Sequence, residues 1–377
     1  MGNPVFGKNR LKLGTFCTNG KGASQTLVPE APRVSWPLAV KLAQMADEAG
    51  YEAVVPYVRW KGYVKGKPNH STGEVLDPYT FAAGIAQATE NVGVFVTTQA
   101  TAIHPIVAAK QLATIDIISG GRLGVNVVGG WNKPELEMFG APIKEHDLRY
   151  DYLAEWLGIV ERLWTDENEF DHEGEFFRIV QGISNPRPLQ KPHPPIMNAG
   201  GSARGKDFAC EHADMCFVIL TSENPEKIRA SIAEYKHYAQ DKFGREVKVW
   251  THTYVVQRDS QQEAEDYLQY FAVENQDRES VDAWIAGQAA QTQIMQPEAL
   301  EAFRTRWAAG AGGFPLVGTA DHIAGRLEML SDCGLDGVLL TWVDYEDGMN
   351  RFNADVLPQL EAAGLRQPVA ARLEPVG

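Results

Sequence analysis

A set of donors suited to an anion stands in Asn198-Ala-Gly-Gly-Ser-Ala203, where an apolar run gives way to a helical pattern. The glycines free backbone N–H groups and Ser202 adds a hydroxyl. N–H groups at a helix N-terminus attract negative charge, which makes Gly201 and Ser202 candidate phosphate ligands. A tight strand-to-helix turn would read the same way. Arg149-Tyr150 opens another helical pattern, and a guanidinium there can grip phosphate through two N–H groups with the tyrosine hydroxyl beside it. An ion pair to Asp147 or Asp151 is the plainer use of that arginine. Asn126 interrupts the apolar run Val125-Asn-Val-Val128, either as a satisfied core amide or as a ligand contact. Thr97 is ambiguous, because a β-branched residue suits a strand for purely structural reasons. His104, before Pro105, is either an acid–base group or a cap.

Other patterns fail on chemistry. Gly200 to Lys206 nearly spells the GxxxxGK phosphate loop, but Asp207 stands where a magnesium-binding Ser or Thr is needed and would repel phosphate. Gly20-Lys-Gly22 lacks the third glycine of a dinucleotide fingerprint and reads as a loop. The acids from Glu169 to Glu175 flank a turn at Glu173-Gly174 and read as a solvated hairpin. No histidine pair has zinc spacing, and no Gly-x-Ser-x-Gly supports covalent hydrolysis.

The elements that must carry these residues alternate almost from end to end. Apolar runs at 11–17, 53–58, 92–98, 122–128, 195–199, 215–220, 247–256 and 337–342 are separated by helical patterns. Caps mark the helix starts at Ser35, Asp77-Pro78, Asn224-Pro225, Thr319 and the capping box Ser260-x-x-Glu263. Eight such repeats predict an α/β fold, a single-domain (β/α)8 TIM barrel over residues 1–377. Excursions are expected at about 131–147, 166–195 and 273–315, over the C-terminal mouth. In such a barrel the chemistry sits where strands end, which is where Thr97, Asn126 and Gly201-Ser202 fall.

In the 377 residues, 35 Lys and Arg stand against 49 Asp and Glu, a formal charge of −14. That sign argues against a nucleic-acid backbone or an anionic membrane surface as partner. No apolar run is long enough to span a membrane, and the start lacks the apolar stretch of a secretory signal. Four cysteines without CxxC spacing fit a reduced compartment. A cytoplasmic protein is expected.

Several segments together resemble the bacterial-luciferase-like, reduced-flavin-dependent monooxygenases: Leu112-Ala-Thr-Ile-Asp116, Ser119 to Val128, Gly130-Trp131, Glu145 to Tyr150, Pro188 to Pro194 and Leu316-Val-Gly-Thr319. The likeness runs from about Leu11 to Leu360 and is strongest to the pyrimidine and dimethyl-sulfone monooxygenases. It implies FMN used as FMNH2, O2 as co-substrate, and a separate NAD(P)H:flavin reductase. It also implies a small sulfone, sulfonate or nitrogen heterocycle as substrate; a homo-oligomer, dimer or tetramer, is the expected assembly. Carried over by position, Val58, Arg59, Asn126 and Glu135 lie beside the flavin ring. Arg149, Tyr150 and Ser202, with Gly201, hold its phosphate. Thr97 and Asn126 match the positions that place oxygen against the flavin. Arg59 replaces a lysine of the pyrimidine enzymes, and Gly129 a threonine, so uracil is a poor fit as substrate. A hydride-transferring enzyme using deazaflavin F420 and a non-catalytic flavin-binding barrel are the alternative readings. Reduced flavin and O2 give H2O2 unless water is excluded, so the excursions are expected to form a lid.

Overall fold

Eight parallel strands close into a ring in a computed structural model that describes residues 2–140, 146–288 and 295–369. Along the chain the strands are β1 (Lys12–Phe16), β2 (Ala53–Val55), β3 (Gly93–Gln99) and β4 (Leu123–Val128). There follow the hairpin pair β5 (Phe170–Glu173) and β6 (Arg178–Gly182), then β7 (Ile196–Asn198), β8 (Met215–Phe217) and β9 (Lys248–Gln257). Last come β10 (Phe314–Gly318) and β11 (Gly337–Thr341). The ring runs β1-β2-β3-β4-β7-β8-β9-β11 and closes with Lys12 opposite Gly337. All eight apolar runs of the sequence become ring strands.

Strand β10 is a difference. The sequence places residues up to 315 in an excursion, whereas Phe314–Gly318 forms a ninth parallel strand outside the ring. It pairs with the second half of β9, from Thr253 to Gln257. Pro315 is tolerated because this strand lies at an edge.

Side chains alternate between two cores. Inward-facing Ala53, Val55, Phe95, Met197, Met215, Trp250 and Leu339 fill the ring, with Val5 among them. Glycines make room for the large rings: a Cβ on Gly124 would lie 2.4 Å from the Phe95 ring, and one on Gly337 2.4 Å from Trp250. Outward residues such as Val94, Leu123, Val125 and Leu340 pack under the helices.

The expected caps form. Ser35, Asp77, Asn224 and Thr319 each accept from backbone N–H groups of the turn they open, and Ser260 and Glu263 make the reciprocal capping box. The helix His146–Thr165 brings Arg149 and Tyr150 into its first turn. Glu145 of the resembling segment and the Asp147 side chain lie outside the described residues.

The three excursions do different things. Residues 131–140 and 297–311 reach the mouth, while 141–145 and 289–294 are outside the described residues. The stretch 166–195 packs along the side of the barrel. Its hairpin is pinned by Glu155, which accepts from Phe176 N at 3.0 Å and Phe177 N at 2.8 Å. Gln190 then donates to Leu123 O at 2.7 Å, at the N-terminal end of β4. Among the described residues, no helix is long and apolar enough to cross a membrane.

Candidate active site

The C-terminal layer of the ring, formed by Phe16, Val55, Met197, Phe217 and Leu339, floors a cavity of about 250 Å³. Thr97 and Asn126 enter it from neighbouring strands, directly opposite one another in register. Asn126 Nδ2 donates to Thr97 Oγ1 at 3.1 Å, and Thr97 Oγ1 donates in turn to Pro56 O. The threonine proton is therefore committed to the backbone. Asn126 Oδ1 is buried and accepts from no group among the described residues. An unsatisfied buried acceptor costs about 1–3 kcal/mol, which makes it a site that a donor-bearing ligand would stabilise.

The loop after β2 supplies one wall. Asn19 clamps it, accepting from Tyr57 N at 3.0 Å and donating to Tyr57 O at 2.8 Å. Glu135, 2% exposed, lines the cavity but spends Oε2 on Trp60 N at 2.7 Å and Lys61 N at 3.0 Å. Asn132 donates to Lys61 O at 2.8 Å. The 131–140 excursion is thus stitched onto the segment that carries Val58 and Arg59, both of which line the cavity. The Arg59 guanidinium lies 4.7 Å from the Trp131 ring centroid.

A second cleft of about 510 Å³ shares Ala199 and Phe217 with the first and holds Gly201, Ser202 and Lys206. Ser202 caps the helix Ala203–His212, accepting from Gly205 N at 3.0 Å. The two glycines before it differ. A Cβ on Gly200 would sit 2.0 Å from Gly205 O, while one on Gly201 meets nothing within 4 Å. Gly200 serves packing and Gly201 leaves open space. The Tyr150 hydroxyl packs against Gly205, 2.5 Å from where its Cβ would be, and Arg149 Nη1 donates to Gly130 O at 3.0 Å on the rim of the first cavity. Asp151 pairs with Arg204.

Burial pushes the Cys17 thiol and the Tyr57 phenol well above their ordinary ranges, so both cavity-lining groups stay protonated near neutrality. His252, on β9 beneath the mouth, stacks on Phe217 at 5.5 Å. Its Nε2 lies 3.2 Å from both Gly310 O and Ala311 O, and burial lowers its pKa to about 4.

Other sequence candidates resolve plainly. His104 is a cap: its Nδ1 accepts from Ile106 N at 3.3 Å. Asp207 is taken by Lys242, Tyr238 and Arg204. No group of metal-binding side chains occurs among the described residues. Sequence reading overlooked Gln99, which lines the cavity. It stands two residues beyond Thr97 on the same face, a signal that period-two counting contains. Lys21, Tyr63 and Trp307 were also overlooked. Lys21 and Tyr63 come from loops and Trp307 from the helix Pro297–Gly310, and only the closed ring determines how these segments approach.

Residues 11–337 match the family model described as luciferase-like monooxygenase. The chain is 31% identical over 339 residues to the FMNH2-dependent dimethylsulfone monooxygenase of Pseudomonas putida, covering 86% of this chain and 89% of that one. It is 28% identical to the pyrimidine monooxygenase RutA of Acinetobacter baylyi, over 97% and 98% of the two chains. Among solved structures, a riboflavin lyase, RcaE, crystallised with modified FMN and riboflavin superimposes with a TM-score of 0.83 at 24% identity, covering 95% of this chain and 93% of that one.

Proposed function

Since the chain belongs to the luciferase-like monooxygenases, we propose that it is the oxygenase of a two-component system, a single-domain cytoplasmic homo-oligomer that takes FMNH2 from a separate NAD(P)H:flavin reductase. With O2 it oxidises a small sulfone, sulfonate or nitrogen heterocycle. The observation that carries this reading is Asn126 Oδ1, an orphaned acceptor in a mostly apolar cavity that shares Ala199 and Phe217 with a cleft at a glycine-lined helix N-terminus.

The residues fit a reduced flavin. Its ring bears N–H donors that Asn126 Oδ1 lacks, and its phosphate suits the start of helix Ala203–His212. When bound, reduced FMN supplies the electrons with which O2 is activated. The protein's own groups have separate tasks in this reading. Val58, Arg59 and Asn126 bound the ring, while Thr97 fixes the Asn126 amide by accepting from it. Glu135 holds the Val58–Arg59 loop by its backbone and excludes water from that edge. Gly201 leaves space for the phosphate, with Ser202, Tyr150 and Arg149 around it.

The test is reconstitution. Purified protein with FMN and NADH alone should be silent, and adding any flavin reductase should start substrate-dependent O2 uptake. Turnover with NADH and no reductase would disprove the two-component arrangement.

A further inference from the structure

A side pocket of about 70 Å³ opens off the first cavity and shares Cys17, Tyr57, Arg59 and Ala311 with it. Lys21, Gln25, Tyr63, Thr72 and Trp307 complete the polar part of its wall. Among the described residues Arg59 Nε is a buried N–H donor without a hydrogen-bond partner, and Trp307 Nε1 faces only the Tyr63 hydroxyl, without the geometry of a formed hydrogen bond. Guanidinium and indole N–H groups can only donate, so an acceptor entering the pocket would satisfy both.

Its charge points the same way. Arg59 is held between aromatic faces, 4.7 Å from the Trp131 centroid and 5.5 Å from that of Tyr63. Among the described residues no carboxylate forms an ion pair with it. Lys21 is balanced: its Nζ lies 3.3 Å from Asp277 Oδ2. Asp277 also faces His70 at 3.6 Å and caps the helix Arg278–Gly287 by accepting from Ser280 N. Glu135, the nearest acid of the first cavity's wall, is engaged by the Trp60 and Lys61 amides. The uncompensated charge at the side pocket is the Arg59 cation.

We propose that this pocket is the recognition subsite for an oxyanionic head group of the substrate, a sulfonate or a carboxylate. Arg59 and Trp307 donate to it, and the rest of the molecule extends into the first cavity. The inference rests on reading that cavity as the flavin and substrate site. It makes the substrate an organic acid rather than a neutral sulfone or heterocycle.

The experiment is calorimetric titration of flavin-free protein with ethanesulfonate, propanoate and the neutral ethyl methyl sulfone. One of the two anions should bind about tenfold or more tighter than the sulfone, as charge-assisted hydrogen bonds require. Tighter sulfonate names sulfonates as the class, and tighter propanoate names carboxylates. Trp307→Phe keeps an aromatic ring to stack on Trp284, 3.5 Å away in the native pair, but loses the N–H together with the five-membered part of the indole, so it should weaken the anion severalfold and change the sulfone far less. Arg59→Met should abolish the preference, with circular dichroism verifying its fold. Equal affinity for sulfone and anions, or a preference that survives in both variants, overturns the subsite. FMN titrated into the same samples separates the two readings. Normal FMN binding without anion preference refutes the subsite alone, whereas anion preference without FMN binding upholds the subsite and refutes the flavin reading.

Discussion

Thr97 gives its proton to Pro56 O and accepts from Asn126, so a change at either residue is felt at the other. Thr97→Val is nearly isosteric but leaves Asn126 Nδ2 without its acceptor, which frees the amide to turn. The fold and FMN affinity should persist while oxygen transfer uncouples, with H2O2 replacing oxygenated product when O2 uptake is compared with product formed. Asn126→Leu should act in the same way and also lose some FMN affinity. Wild-type coupling in Thr97→Val would remove the threonine from the oxygen step. On the proposed assignment of Arg149 to the FMN phosphate, Arg149→Ala should weaken FMN by roughly 1.5–3 kcal/mol, the worth of a hydrogen bond to a charged group. Riboflavin, which has no phosphate, should be affected much less, and equal loss for both would clear Arg149 of that role. These residues were legible in the sequence because a polar side chain in an apolar strand, or a donor at a helix start, is conspicuous there. The hydrogen-bond directions were not: that the Thr97 proton is already committed depends on where Pro56 O lies, which spacing does not encode.

The turns between strand and helix differ in what their glycines do. After β7, adjacent glycines look alike in sequence yet face different surroundings. Gly200→Ala would drive a Cβ into Gly205 O and should displace the helix Ala203–His212, lowering both thermal stability and FMN affinity. Gly201→Ala meets no protein atom, so stability should hold while FMN affinity falls. Thermal midpoints and FMN titrations on the two variants check this, and a Gly201→Ala protein that binds FMN normally would show that the cleft does not hold the phosphate. The ring strands were legible because both of their faces are buried, which leaves short apolar runs bounded by helix caps. Strand β10 was hidden for the opposite reason. It pairs only with the overhanging half of β9 and contains proline, so neither its pattern nor its composition separates it from the excursion before it. The side-pocket residues were hidden more deeply, because Lys21 follows β1 and Trp307 precedes β10 and only ring closure brings them to one wall.

At the scale of the whole molecule, stability is linked to the charge of the buried His252. Burial holds its pKa at about 4 against an ordinary 6.5, so as pH falls the unfolded chain takes up a proton that the folded one refuses. The stability from this group is complete above about pH 6.5 and is lost as pH falls from there toward 4, on the order of 3 kcal/mol. His252→Gln keeps a donor for the carbonyls of Gly310 and Ala311 but does not titrate. Its thermal midpoint should drop less than that of the wild type between pH 7 and 4.5, and equal drops would show that the histidine is not responsible. Ring closure has a consequence for how the molecule is made. The Tyr345 hydroxyl donates to Phe16 O across 329 residues, and Arg366 reaches Leu11 O across 355. Translation delivers β1 first, and one of its edges stays open until β11 has left the ribosome. Throughout that interval an apolar strand edge is exposed to other nascent chains, and contacts so distant in sequence form slowly. A chain arrested before Gly337 therefore has two unpaired edges where the ring should close, a species for chaperones and proteases to handle and not a shorter enzyme.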